Sequence, residues 1–560
     1  MTERKTSRRS IVLYIISGLA VAGIVAAIIF WQQIKYKLVN RQLTTAVSDK
    51  SAGLYRLSYK NLVIDEVAGN VSVEDIHLST DSSIYRQQSK QHEAPTRIDV
   101  RIPKMVVIGV KTPKALLSKE LEGQSIYIQS AVIEVTPQRL PDHASATGKE
   151  NPSETKLVDE IYKQVLGNLK SVKADSLLLH DLTFIIRDPE SGQIKFRGSG
   201  FSCGFSDILI DSAHQNDSSR ILFAREIAVN CKNLSLNSKD KKYKYIFSGL
   251  DYYSPANRFR VAKIRVEPLL SESEFARTYK YSKDRLDFSI ENVDIRNVDR
   301  FALFNQRLIA DSMVIGNSSF KIFRDISYPH DSVDRTNAYP QQALMKLPLP
   351  VNIHKLILTR SFVEYKEKNA KSDSSGKLQF FAVHAVLSNV TNIPGSIEKN
   401  NKMRLDFQSR FLNKAAFHAE LTMLLQDPDG KFILDAKMGP MNAESLNPML
   451  QPMALARIDK GKIQSLAYHL DADKMHGIGK LTFLYSDIKV ILLKKDDAQN
   501  KYKTKILPTL AAGLMVKNSN PAKGETRVSR IDFPRDRHRS IFNLMWKSMF
   551  MAIKETVGMK

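Results

Sequence analysis

The chain has 560 residues, and its 83 Lys and Arg outnumber its 59 Asp and Glu, which gives a net charge of +24. Its hydrophobic share of 43% and charged share of 25% are those of a folded globular protein and exclude bulk disorder. With only two cysteines, the chain cannot be a disulfide-rich scaffold or a zinc module held by four thiolates. The positive charge favours an anionic partner, either nucleic acid or an anionic membrane.

An uncharged apolar run, residues 11–31, lies close to the N-terminus. Its 21 residues would make a helix of about 31 Å, which matches the hydrocarbon core of a bilayer. The run predicts a transmembrane signal anchor, and a cleaved signal peptide is the alternative. Basic residues precede it, so the positive-inside rule predicts a cytoplasmic tail at residues 1–10 and a large domain outside the cytoplasm. These basic residues are Arg4, Lys5, Arg8 and Arg9.

A degenerate repeat of apolar and polar alternation, typical of half-buried strands, follows this run. Each copy has polar residues in its middle, which predict a strand, a tight turn and a returning strand, that is, a hairpin. Four copies align without gaps, at residues 126–135, 177–186, 313–322 and 356–365, and a looser copy starts at Ile227.

The predicted fold class is mainly β, because no stretch shows the regular strand and helix alternation of a parallel α/β domain. After the single transmembrane helix, residues 32–530 are expected to form an elongated, curled, mostly antiparallel sheet built from repeats, with a few short helices. Residues 531–560 are expected to contain a basic, amphipathic C-terminal helix. The predicted helices are Lys156 to Leu169, Met441 to Met453 and Ile541 to Val557.

A sheet with one apolar face must bury that face, and the sequence leaves three ways open: a β-sandwich, a small barrel, or a curled trough that holds a guest. An open trough suits acyl chains, because burial of each methylene contributes about 0.8 kcal/mol. A chain of about 16 carbons would thereby gain roughly 13 kcal/mol along a continuous apolar lining.

Several motifs resemble those of the AsmA-like family of bacterial envelope proteins. The resemblance rests on the N-terminal apolar run, on the Ala-Asp-Ser starts at residues 174–176 and 310–312, and on runs at residues 445–450, 461–463, 481–490, 542–548 and 553–554. It implies an elongated β-groove that binds or conducts phospholipid in the periplasm and contributes to outer-membrane lipid homeostasis. It implies no catalytic residue, no cofactor and no metal.

One motif favours a different class of protein. Residues 200–204 read Gly-Phe-Ser-Cys-Gly, which matches the nucleophile elbow of a hydrolase. That elbow needs a strand-to-helix turn, and the residues that follow, Phe205 to Ile210, have the pattern of a strand. We therefore interpret the motif as a strand softened by glycine rather than as a catalytic site.

The two cysteines, Cys203 and Cys231, fall in predicted strands. A hairpin that reverses near Asp217 would place them opposite each other. Outside the cytoplasm the environment would be oxidising. The hypothesis is a disulfide, and two buried free thiols are the alternative.

The C-terminal segment combines an apolar helical face with an adjacent basic cluster. The helix is predicted either to lie on an anionic membrane or a partner, or to cap the end of the sheet. The apolar residues are Phe542, Met545, Trp546, Met549 and Ile553, and the predicted headgroup contacts are Arg535, Arg537 and Arg539.

The sequence thus predicts a non-enzymatic, single-pass inner-membrane protein whose partners are anionic phospholipids. An envelope protein is a possible further partner. The alternative function is assembly of outer-membrane proteins through pairing of a sheet edge with partner strands. Nucleic-acid binding has no supporting motif.

Overall fold

The computed structural model describes residues 51–65, 67–90, 96–111, 118–137, 170–189, 191–214, 217, 219–238, 240–368, 374–496, 501–504 and 517–558. Of these residues, 61% are in strands and 14% in helices, so the protein is mainly β. Its strands pair in both antiparallel and parallel directions, and its few helices are short. The chain forms two compact units. The first is Met1–Ser238 with Tyr245–Val261, and the second is Lys239–Lys244 with Ala262–Lys560.

The first unit is a mostly antiparallel sheet with one parallel step. Strands β1, β2 and β3 form an antiparallel meander, and β3 also pairs with β4 and β5. Strands β4 and β5 pair with β6 in parallel, and β6, β7 and β8 are antiparallel. The elements are β1 (Tyr55–Asp65), β2 (Asn70–Thr80), helix α1 (Ser82–Lys90), β3 (Arg97–Ile108), β4 (Glu120–Gln129), β5 (Val132–Thr136), β6 (Ser171–Arg187), β7 (Ile194–Asp211), β8 (Ala224–Asn237) and β9 (Tyr243–Tyr253). The boundary between the units falls within β10 (Arg258–Pro268).

The second unit repeats this plan. Strands β11 and β12 are antiparallel, β12 and β13 are parallel, and an antiparallel series continues through β14, β15, β16, β17, β19, β20 and β22. The strands are β11 (Asp284–Arg296), β12 (Leu308–Asp325), β13 (Val351–Lys368), β14 (Ser375–Thr391), β15 (Lys402–Phe411), β16 (Ala415–Leu424), β17 (Phe432–Met438), β18 (Met441–Asn442), β19 (Ala456–Ala472), β20 (His476–Asp496), β21 (Lys501–Thr504) and β22 (Val528–Pro534). The helices are α2 (Glu272–Arg277), α3 (Arg300–Phe304), α4 (Pro340–Met345), α5 (Pro394–Lys399), α6 (Asn447–Ala454) and α7 (Ile541–Thr556).

The repeat copies lie side by side in the register that their sequence alignment gives. In the first unit, Ile126 of β4 pairs with Leu177 of β6, and the aligned partners continue down both strands. In the second unit, Met313 of β12 pairs with Leu356 of β13 in the same way. Each aligned pair of copies is therefore a parallel strand pair, which places equivalent side chains in rows across the sheet.

The hairpin prediction for these copies is wrong, because each copy continues in one direction through its polar centre. The fifth residue of each of the four gap-free copies has a left-handed backbone, at Ser130, Asp181, Asn317 and Arg360. In an antiparallel pair such a residue forms a bulge, which adds one residue and bends the strand without reversing it. The register shifts at Asp181 and at Arg360 against β7 and β14 have this form.

Three further expectations concern helices. No helix among the described residues is long and apolar enough to cross a membrane, and the predicted anchor, residues 11–31, lies outside the described residues. The predicted helix at residues 156–169 lies outside them as well. The C-terminal helix is present as α7, but residues 531–534 belong to β22 rather than to a separate helical segment.

Candidate functional site

One face of strands β11 to β14 carries a continuous set of apolar side chains, which we call the apolar lane. Paired residues put their side chains on the same face, so the register aligns Phe288, Phe320, Val363 and Phe380 in one row. Most lane residues are only partly buried. The lane comprises Leu286, Phe288, Ile290, Val293 and Ile295 of β11, Met313, Ile315, Ser318, Phe320 and Ile322 of β12, Leu356, Leu358, Ser361, Val363 and Tyr365 of β13, and Leu378, Phe380, Val383, Ala385 and Leu387 of β14.

Two serines close the bulges in the middle of the lane. The backbone N–H of Glu291 donates to Ser318 Oγ at 3.1 Å, and the N–H of Ser318 donates to Ser361 Oγ at 3.2 Å. Each hydroxyl in turn donates to a backbone carbonyl two residues earlier on its own strand. Both serines are almost fully buried, and these bonds replace ladder bonds that the bulges interrupt. The lane therefore continues through the bulges without an unpaired hydroxyl.

Charged groups bound the lane at both ends of its strands. At one end, Asp311 lies 3.6 Å from the imidazole of His354, and both side chains are exposed. At the other end, Arg324 makes a bidentate pair with Asp284 at 2.6 and 2.5 Å, and Tyr365 donates to Glu367 at 2.7 Å. Between these ends lie about ten residues of strand, or roughly 30 Å at 3.3 Å per residue.

The same face becomes more deeply buried farther along the sheet. The row of Leu356 and Leu387 continues through Leu405, Leu421 and Leu434 to Leu470, which is completely buried. Helix α7 packs on this part of the sheet through Ile541, Leu544 and Ala552. The predicted capping role of the C-terminal helix is thus confirmed for the β19 to β22 end of the sheet.

Polar bonds fix α7 to the sheet. Tyr468 Oη lies 2.8 Å from Ser548 Oγ, and burial raises the pKa of Tyr468 to about 12. Ser529 and Thr556 share a second buried hydroxyl contact of 2.8 Å. These contacts hold one side of the helix against the core.

Of the five residues predicted to touch a membrane or partner, some pack against the core and one is exposed to solvent. Met545, Met549 and Ile553 pack partly against the core, and Trp546 stacks on Phe550 with ring centroids 6.1 Å apart. Phe542 is 71% exposed. Only Phe542 among the five therefore projects largely into solvent.

The three predicted headgroup arginines have different surroundings. Arg535 is buried, stacks on Tyr339, and donates to the carbonyl oxygens of Arg335, Thr336, Lys474 and Arg539. This geometry corrects the prediction for Arg535, which holds loops together and does not face a ligand. Arg537 forms an ion pair with Asp334, and Arg539 with Asp536. Sequence spacing gave no sign of this division.

The Gly-Phe-Ser-Cys-Gly motif lies in the middle of β7, so its interpretation as strand is confirmed. Ser202 Oγ accepts a bond from the backbone N–H of Asp181 at 3.2 Å and lies 3.3 Å from His180 Nδ1. Asp181 is the left-handed residue of its repeat copy. The serine thus stabilises a bulge on the neighbouring strand, and no strand-to-helix elbow is formed around it.

The two cysteines are free and buried in this structure, so the disulfide hypothesis is not supported by it. Cys231 pairs with Phe201, and Cys203 pairs with Val229, which places the thiols diagonally rather than opposite each other. Burial, together with the neighbouring Cys231, raises the pKa of Cys203 to about 12. Burial also raises the pKa of Cys231 to about 11.

One group among the described residues has metal-ligand composition. The side-chain ligand atoms of Asp406, His418 and Glu420 lie within 4.8 Å of one another. His418 already contacts Asp406 at 3.2 Å and Glu420 at 3.7 Å, and all three side chains are substantially exposed to solvent. An exposed ion-pair cluster accounts for this arrangement.

Comparisons with known proteins identify no family. No protein-family model matches the chain, and no curated protein matches it. Among solved structures, the sex pheromone staph-cAM373 precursor aligns with 63% of this chain and 87% of its own length, at 10% identity and a TM-score of 0.12. A likeness at that level carries no argument about fold or function.

Proposed function

We propose that the protein binds the acyl chains of phospholipids along the apolar lane. The observation that carries the proposal is a continuous apolar face that is partly uncovered over four strands and bounded by charged groups at both ends. A continuous apolar face that is not fully covered is a candidate binding surface. Its guest should be long, apolar and not itself rich in hydrogen-bonding groups, since the lane offers few polar partners.

The parallel step between repeat copies supports a linear guest. Equivalent apolar residues of β12 and β13 lie in register, so these two neighbouring strands present nearly the same surface. Burial of each methylene is worth about 0.8 kcal/mol, and a long chain would gain in proportion to its length. Because neighbouring strands offer nearly equal surfaces, an acyl chain would also shift from one strand to the next at small cost.

The wider biological setting is part of the same proposal. We place the protein in the inner membrane, anchored by residues 11–31, with its β-rich domain in the periplasm and a role in outer-membrane lipid homeostasis. The support is the apolar N-terminal run, the net positive charge and the motifs that resemble the AsmA-like family.

The test uses the full chain, purified in a mild detergent, with co-purifying lipid measured by mass spectrometry. Leu356→Asp puts a carboxylate into the lane, and its neighbour Lys355→Asp puts the same carboxylate on the opposite, exposed face. We expect lipid to accompany the wild type and Lys355→Asp, and to fall several-fold in Leu356→Asp. Equal lipid content in the two variants would contradict the proposal. Capture of a protein strand instead of lipid would favour the assembly-factor alternative.

A further inference from the structure

A cavity of about 150 Å³ lies where the second unit's lane ends and helix α7 begins. A cavity needs roughly 10–15 Å³ to hold one water molecule, so this one has room for a larger group. Arg324 and Asp284 of the lane end line it, together with Ser540 at the start of α7. The cavity is therefore a polar site at the charged end of the lane, within one unit.

The lining of the cavity has an excess of positive charge. Four cationic side chains and two carboxylates face it. Both carboxylates are already paired: Asp284 with Arg324, and Asp331 with Lys283 at 2.6 Å and Arg335 at 2.7 Å. Hydrogen bonds from Arg335, and then from Lys283, hold the pKa of Asp331 well below its usual range, so it stays ionised and satisfied.

The remaining cation, Arg539, contacts a histidine of the cavity lining. Its guanidinium contacts the His330 imidazole, with Nη1 2.5 Å from Nδ1. Its ion pair with Asp536 is longer, at 3.3 Å, and Asp536 does not line the cavity. Burial, followed by the charges of Arg539 and Arg324, lowers the pKa of His330. A neutral imidazole accepts from Arg539 at one ring nitrogen, and its N–H and the other guanidinium N–H groups are donors from which an anion in the cavity would accept.

A buried hydroxyl without a hydrogen-bond partner and a helix start without a side-chain cap lie at the same cavity. Ser282 is 8% exposed, and its Oγ is buried without a hydrogen-bond partner among the described residues. Ser540 is the N-cap of α7, and its side chain bonds no N–H of the first turn. The start of a helix of 16 residues carries free N–H donors and partial positive charge. A buried hydroxyl with no partner is costly unless a ligand or water satisfies it.

We infer that this cavity binds a phosphate group, held by Arg539, His330, Ser282 and the N-terminus of α7. A tetrahedral oxyanion has enough acceptor sites for all four donors and suits both the guanidinium and the helix start. The phosphate would belong either to a lipid headgroup whose chain lies in the lane or to a soluble phosphate. The site itself stands without the lane, and only the lipid source rests on the proposed function.

Calorimetry on the full chain, in phosphate-free buffer, tests this site with inorganic phosphate as the probe. We expect saturable binding that Arg539→Gln weakens by about tenfold or more, since a charge-assisted bond is lost. Arg537→Gln is the matched control, because it removes the same charge two residues away and outside the cavity lining. Ser282→Ala should also weaken binding, and we expect it to keep the fold because the hydroxyl has no hydrogen-bond partner among the described residues.

A second arm distinguishes the two sources of phosphate. Phosphatidylcholine vesicles with and without phosphatidic acid are titrated with the wild type, Arg539→Gln and Leu356→Asp. Binding to phosphatidic acid that needs Arg539 assigns the site to a headgroup, and a response confined to inorganic phosphate assigns it to a soluble ligand. Leu356→Asp should retain inorganic phosphate binding even if the lane holds no lipid. Absence of saturable phosphate binding, or equal binding by the wild type, Arg539→Gln and Ser282→Ala, would overturn the inference.

Discussion

The apolar face of the second unit is closed at one end and partly open at the other. Leu356 and Leu470 belong to the same row of paired residues, yet Leu470 is completely buried and Leu356 only partly. The difference is the cover: helix α7 and its hydroxyl contacts lie over the β19 to β22 end. We expect the closed end to supply much of this unit's stability, and the proposed function assigns the guest to the partly open end.

The largest expected difference is in the rate at which thiols on covered and on partly open surfaces are alkylated. The native thiols have pKa values of about 12 and about 11, against about 8.5 for an ordinary cysteine. At pH 8 the thiolate fraction of Cys203 is then roughly a thousandfold smaller, and alkylation of the folded full chain should slow by about that factor. Leu358→Cys, in a chain with Cys203→Ala and Cys231→Ala, should react far faster because the lane is partly open. Rates are measured by mass spectrometry after timed alkylation.

The same thiols give a dependence of stability on pH. A raised folded-state pKa means that the folded state keeps its proton while the unfolded state loses it near pH 8.5. The free energy of unfolding should therefore fall as the pH rises from about 8.5 towards 11–12. Failure to find free thiols in the unreduced, unfolded chain would contradict both statements and restore the disulfide hypothesis.

Truncation of leucines along one row should show which end carries the stability. Leu470→Ala leaves a cavity in a fully packed site and should lower the free energy of unfolding by about 3–5 kcal/mol. Leu356→Ala removes the same atoms from a partly exposed site and should cost about 1–2 kcal/mol. Denaturant titration of the full chain measures both. Equal losses would mean that the lane is as well covered as the closed end.

The bond between Tyr468 and helix α7 should contribute a smaller amount. Tyr468→Phe removes the contact to Ser548 at 2.8 Å and should lower the free energy of unfolding by about 1–2 kcal/mol. Tyr281→Phe serves as a control, since Tyr281 is 38% exposed and its loss should change stability by less than about 0.5 kcal/mol. Thermal unfolding is a suitable readout. If Tyr468→Phe behaved like its control, the polar bonds would not hold the helix.

Relief of backbone strain at a repeat bulge should have the smallest effect. Arg360 has a left-handed backbone with φ of 49°. Arg360→Gly should therefore raise the free energy of unfolding by about 0.5–1 kcal/mol. Lys355→Gly, in the extended part of the same strand, should instead lower it by about 0.5–1 kcal/mol. Chemical denaturation of the pair checks the sign, and a loss in both variants would count against a bulge at Arg360.

The sequence predicted the strands and their register more accurately than it predicted their direction. Alternation identifies a strand, and the gap-free alignment of Met313 with Leu356 matches the observed pairing. The polar centres were ambiguous, because Asn317 or Asp181 suits a left-handed residue in a tight turn and in a bulge alike. Only the parallel neighbour strand decides between the two.

The candidate site was harder to predict from the sequence, because it depends on contacts between segments that are distant along the chain. Arg535 and Arg539 are alike in sequence, yet one is enclosed by backbone carbonyls and the other lines a cavity with Ser282 and His330. Nothing in local composition separates them. The partly open state of the lane was equally hidden, since covered and uncovered apolar faces have the same alternation.

The most direct test of the central proposal is photo-crosslinking of the full chain with a phospholipid that carries a photoreactive group on its acyl chain. Labelled peptides are mapped by mass spectrometry. The account predicts adducts on lane residues such as Phe320, Leu358 and Phe380, and none on Leu434 or Leu470 of the closed end. Adducts confined to the closed end or to helix α7, or no adducts at all, would contradict it.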